Sequence, residues 1–178
     1  QLKENQRAIT FYEQLETLNP EYVTLYLPLG KLYEEDEELE KAQETYEKGL
    51  KEDPFNADLY LAASSNAYRL FDTEKAISLL EKALETGEKE EDVVTSLSHL
   101  YLENEEDEKV IALYEDYPKE TPSANWDLGK AYYHLEDFDQ AFKFYTNAYA
   151  AFQNEPEFMK EYGLFLREEG HLPEAKQL

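Results

Sequence analysis

The chain has 178 residues, 42% hydrophobic and 14% aromatic, so a packed core forms despite a charged fraction of 33%. A formal net charge of −24 opposes a phosphate backbone or an anionic bilayer as partner, since both require a basic footprint; no nucleic acid and no membrane is expected. The absence of Cys removes thiol and disulfide chemistry, and no apolar run approaches the roughly 18 residues of a membrane span.

In chain order, the first predicted element is a lone helix over residues 1–19, with Ala8 and Tyr12 stacked on one face. A helix pair over 23–56 follows, written "LYLPLGKLY" and then "AQETYEKGL". Further pairs are predicted over 57–90, 91–121 and 122–155, and a truncated one over 156–178. Small residues anchor the second helices at Ala8, Ala42, Ala76, Val110, Ala141 and Ala175, at intervals of 34, 34, 34, 31 and 34. Tyr33, Tyr101 and Tyr132 lie nine residues before their anchors; Tyr68 lies eight before Ala76, which reads as a one-residue deletion. Eight tyrosines (Tyr12, Tyr33, Tyr46, Tyr68, Tyr101, Tyr114, Tyr132 and Tyr145) are expected to fill large positions between helices. In the 31-residue interval, Pro118 ends a helix near Tyr117, Thr121 caps the next and Pro122 opens it. A change of pitch is expected at 117–123.

Tyr26-x2-Leu29-Gly30-x2-Tyr33, then Ala42-x3-Tyr46, then Pro54, resembles the tetratricopeptide repeat (TPR) signature, with Tyr in place of its usual Trp and Phe. The resemblance covers almost the whole chain and implies one TPR array over 1–178. The fold it implies is an all-α, right-handed α-solenoid of antiparallel helix pairs, with the first helix of each pair lining a concave groove. Both ends fall inside a repeat, so the chain is expected to be a fragment of a longer cytoplasmic protein, with residues near Gln1 and Leu178 frayed.

No enzyme is expected. His99, His134 and His171 lie in different repeats, the glycines build no phosphate loop, and no ligand spacing for a metal exists. No cofactor is implied. By the resemblance, ligand contacts come from the groove positions of the first helices, which here carry Lys31, Asn66, Arg69, His99, Trp126, Lys130, Tyr133, His134, Lys160 and Arg167. The expected partner is a protein or extended peptide, with acidic residues meeting a basic strip centred on Trp126 and Lys130. Two readings oppose this one. Acids such as Glu34 and Glu157 rim the same surface and cancel the cations, or Trp126 tucks against the 91–121 repeat. The carboxylate-clamp set of the family's co-chaperones is absent, with only Asn66 in place. Alternatives to a self-sufficient scaffold are a recognition arm for an active domain outside the chain, and end-to-end self-association through open repeat ends.

Overall fold

The computed structural model describes residues 2–87, 90–118 and 120–168, and these are all-α. The expected fraying at Gln1 and Leu178, and the landmarks His171 and Ala175, lie outside them. The chain divides into two compact units, Gln1–Leu100 and Tyr101–Leu178. The boundary falls within a helix and not at the 117–123 junction, where the sequence places its irregularity.

In the first unit, α1 (Leu2–Leu18) is followed by a 3-10 turn (Val23–Leu25) and α2 (Tyr26–Glu35). Pro28 has no N–H to give the Thr24 carbonyl, which is why the entry to α2 tightens to 3-10 geometry. Then come α3 (Leu39–Glu52), α4 (Ala57–Arg69), α5 (Thr73–Leu84) and the start of α6 (Glu90–Glu103). Successive helices pack on one another, α2 on α3 and α4 on α5 most closely. The second unit takes the end of α6, then α7 (Asp107–Asp116), α8 (Pro122–His134), α9 (Phe138–Phe152) and α10 (Pro156–Glu168).

The first helices α2, α4, α6 and α8 end in the same turn. Glu37, Phe71, Glu105 and Glu136 take left-handed φ values of 59°, 61°, 57° and 60°. The next residue's N–H returns to a carbonyl inside the helix: Glu38 to Tyr33, Asp72 to Ala67, Glu106 to Tyr101 and Asp137 to Tyr132. A non-glycine residue there costs about 1 kcal/mol, so satisfied carbonyls outweigh local strain four times over. These turns correct the register of the 57–90 repeat. Ala67, fully buried, holds the place of Tyr33, while Tyr68 points outward and is 44% exposed. No residue is missing; the tyrosine is one place late.

The junction at 117–123 forms as its residues dictate. α7 stops at Asp116, Tyr117 is extended, and the Thr121 hydroxyl accepts the Ala124 N–H at 3.2 Å ahead of Pro122.

Ala42, Ala76, Val110 and Ala141 are completely buried, and the residues four on (Tyr46, Leu80, Tyr114 and Tyr145) fill the interior beside them. The tightest contact is that of Gly30 with the Tyr46 ring, where an added methyl would meet ring carbon Cδ1 at 2.7 Å. At Gly129 the same methyl would meet the Tyr145 ring at 3.0 Å. Tyr46 cannot retreat, because it is fully buried and its hydroxyl donates to Glu34 Oε1 at 2.8 Å.

Gly30→Ala therefore lowers stability by about 1–2 kcal/mol in urea melts, overpacking outweighing the gain in helix propensity, whereas Gly129→Ala stays within about 0.5 kcal/mol of the parent. Equal effects would contradict this account of the close approach. Burial, and for Tyr46 its bond to Glu34, pushes the Tyr46 and Tyr145 hydroxyls well above their ordinary 10.0. The folded state favours their protonated form, so this stabilisation is intact below pH 10.0 and declines as pH rises above it. Thermal melts are expected to fall steeply in that range, and less steeply for Tyr145→Phe.

Candidate functional site

In the first unit the candidate residues separate. Lys31 is exposed on α2 and makes no ion pair among the described residues. Arg69 is held between two acids, Nη1 at 3.3 Å from Glu34 and Nη2 at 3.4 Å from Glu37. Glu34 also accepts the Tyr46 hydroxyl, so one carboxylate joins the core tyrosine to the surface arginine. Asn66 requires a correction. The turn register moves it one place past the position first assigned, which falls to the exposed Ser65. Asn66 is fully buried, and its Nδ2 donates to the Leu39 carbonyl at 2.8 Å and to Gln43 Oε1 at 3.0 Å, tying α4 to α3. His99 is exposed on α6.

In the second unit Trp126, Lys130 and Tyr133 share one face of α8, as their spacing requires. Trp126 is half-buried. Its ring lies 4.9 Å from Phe152 and 5.3 Å from Phe158, centroid to centroid, the latter edge-on. The indole Nε1–H donates to Glu161 Oε2 at 2.8 Å. Lys130 Nζ sits 4.5 Å above the indole and 3.5 Å from Glu161 Oε1. The three side chains thus form a closed triad of indole, cation and carboxylate between α8 and α10. The aromatic neighbours of Trp126 lie on the side of the following repeat, which is not the contact with the 91–121 repeat named as its alternative. Tyr133 meets Phe165 edge-on at 5.6 Å. His134 is drawn away from this group, with Nδ1 2.8 Å from Oδ1 of the buried Asp107. Lys160 and Arg167 are exposed on α10, and Lys160 makes no ion pair among the described residues.

Two functional-looking residues escaped the sequence reading, Glu161 and Asp107. Glu161 carried a signal. It lies 35 residues after Trp126, one more than the repeat length, and Arg69 reaches Glu34 across the same separation. In both cases a residue one place beyond one period meets its counterpart on the neighbouring first helix. Asp107 carried none; its role comes from burial at the first turn of α7.

The acids therefore engage Arg69, Lys130 and His134 and leave Lys31 and Lys160 outside ion pairs among the described residues. Among those residues, too, no group of three His, Asp or Glu side chains is placed to hold a metal, and no helix is long and apolar enough to cross a membrane.

Residues 1–65 match a family model described as tetratricopeptide repeat, and residues 122–178 match one described as YpiA-like, C-terminal tetratricopeptide repeats. The chain is 33% identical over 174 residues to the TPR repeat-containing protein YpiA of Bacillus subtilis (strain 168), covering 96% of this chain and 41% of that protein. It thus spans well under half the length of this relative. Among solved structures it is similar to YrrB, described as a TPR protein with an unusual peptide-binding site, with a TM-score of 0.71 and 18% identity over 92% of this chain and 86% of that one. It is also similar to MamA protein, with a TM-score of 0.72 and 23% identity over 87% of this chain and 86% of that one. At these identities the two likenesses speak to the fold. Repeat models matched at both ends, a 34-residue period and one recurring left-handed turn per helix pair lead to one conclusion: the chain belongs to the tetratricopeptide-repeat family.

Proposed function

We propose that the chain is a non-catalytic scaffold that binds a protein segment along the exposed faces of its first helices. The observation carrying this reading is the face of α8, where the indole of Trp126 lies under Lys130 and on the same face as Tyr133, in a chain of net charge −24 whose next first helix, α10, carries the exposed Lys160. Rigid aromatic area next to a cation is the composition favoured at binding hot spots. An extended segment with acidic and apolar residues complements it. On this reading Lys31 plays the same part on α2 in the first unit, and the scaffold works in the cytoplasm.

Trp126 is a poor first target for mutation, because its ring packs on Phe152 and Phe158 and Trp126→Ala removes core contacts along with any partner contact. Lys160→Glu and Lys31→Glu change exposed cations and leave the core alone. Affinity capture with the chain as bait, followed by titration of the captured partner, is expected to show about fivefold weaker binding for Lys160→Glu with unchanged melting. Equal affinity for both charge reversals and the parent would end the acidic-segment reading.

Self-association has one specific observation in its favour. Phe11 is 70% exposed on α1 beside a shallow cleft lined by Gln6, Arg7, Thr10 and Gln14. If that face pairs chains, light scattering gives a mass that rises with concentration, and Phe11→Asp abolishes the rise. A constant monomer mass rejects it.

A further inference from the structure

The register set by the left-handed turns puts Asn125 of α8 where α2 has Tyr26, α4 has Tyr60 and α6 has Val94, each eleven residues before its turn residue. Those three side chains are buried, as is Asn125 itself, and Tyr26 lies against Gly49 of its own second helix. Tyr26 goes further and donates its hydroxyl to the Pro20 carbonyl at 2.7 Å. In α8 the large aromatic, Trp126, comes one place later and turns to another face, leaving an amide where a ring belongs. The preceding junction is also short, its period 31 instead of 34, and α7 has 10 residues against 14 in α3.

Beside Asn125 lies a cleft of about 510 Å³ between α8 and α9, open to solvent. One wall is the Tyr132 ring stacked on Phe144, at 5.4 Å between centroids and 3° between planes. The Asn147 amide, which donates to Asn125 Oδ1 at 3.2 Å, lies across from it. Lys143 stands at the rim with Nζ 5.1 Å above the Phe144 ring, and it makes no ion pair among the described residues. The aromatic wall offers a face for stacking, and the side-chain amides of Asn147 and Gln140 offer a donor and an acceptor to a hydroxyl, whereas the Asn125 amide is engaged by the Thr121 carbonyl and by Asn147. The lining carries one cation, Lys143, and one acid, Glu120.

We propose that this cleft is a second binding site, which takes a tyrosine side chain of a partner polypeptide with an acidic residue next to it. The incoming phenol occupies the volume that Tyr26 and Tyr60 fill from within the chain, and Lys143 meets the neighbouring carboxylate. This site lies on a different face of α8 from Trp126 and Lys130, and it does not depend on their binding a segment.

Amide chemical-shift titration of the chain with N-acetyl-tyrosinamide tests it. Shifts are expected at Asn125, Tyr132, Phe144 and Asn147, and none at those residues with N-acetyl-leucinamide. Asn125→Tyr restores the internal ring, so it is expected to abolish those shifts while melting at or above the parent temperature. Should that variant fail to fold, Asn147→Trp blocks the cleft from an exposed position and must remove the same shifts. With N-acetyl-Tyr-Asp-amide as probe, Lys143→Glu is expected to weaken binding about fivefold and to leave binding of N-acetyl-tyrosinamide unchanged. The proposal is overturned if the tyrosine probe causes no shifts on α8 and α9. It is equally overturned if the leucine probe matches the tyrosine probe, or if the shifts persist in a folded, filled variant.

Discussion

Everything in this protein depends on how closely a first helix approaches its second. Gly30 lets the backbone of α2 come against the Tyr46 ring, and Gly129 does the same for α8 and Tyr145. Where the partner is the smaller Leu80, the facing position is Ser64, whose hydroxyl donates to the Ala76 carbonyl at 2.9 Å. A large side chain on one helix and a small one opposite is the condition for dense packing. Repeating that condition at a fixed interval is what makes the chain a stack of helix pairs.

Once the pairs are fixed, the faces that remain outside are fixed as well, and with them the electrostatics. The second helices are joined by ion pairs, Lys48 with Glu16 at 2.7 Å and Lys75 with Glu47 at 2.5 Å. The first helices are joined by Arg69 with Glu34 and by the triad of Trp126, Lys130 and Glu161. Exposed pairs of this kind contribute at most about 1 kcal/mol each. Their effect lies more in orientation: they hold long side chains against neighbouring helices and decide which cations are left facing solvent. The chain has 41 acids against 17 bases, and Lys31, Lys143 and Lys160 are among the exposed cations that make no ion pair among the described residues.

The fourth repeat concentrates the departures from the pattern. Its preceding junction is short, its aromatic is one place late, and Asn125 stands at a position that two other repeats fill with tyrosine. A stack of nearest-neighbour units tolerates such a lapse, because each repeat answers only to the adjoining ones.

The sequence by itself determined the class of fold, the length of the repeat, the capping of α8 by Thr121 and the end of α7 before Pro118. These follow from local terms, the 3.6-residue periodicity and proline stereochemistry, which act within a few residues. The shared face of Trp126, Lys130 and Tyr133 on α8 was legible for the same reason. Tertiary structure alone decided the rest. It placed Ala67 and not Tyr68 in the buried position, because the left-handed turn at Phe71 sets the register and a count of tyrosines does not see a turn. It buried Asn66 against Leu39 and Gln43, and it gave Trp126 a carboxylate 35 residues away. Contacts between helices depend on which faces meet at van der Waals distance, and that is settled only when the pairs have packed.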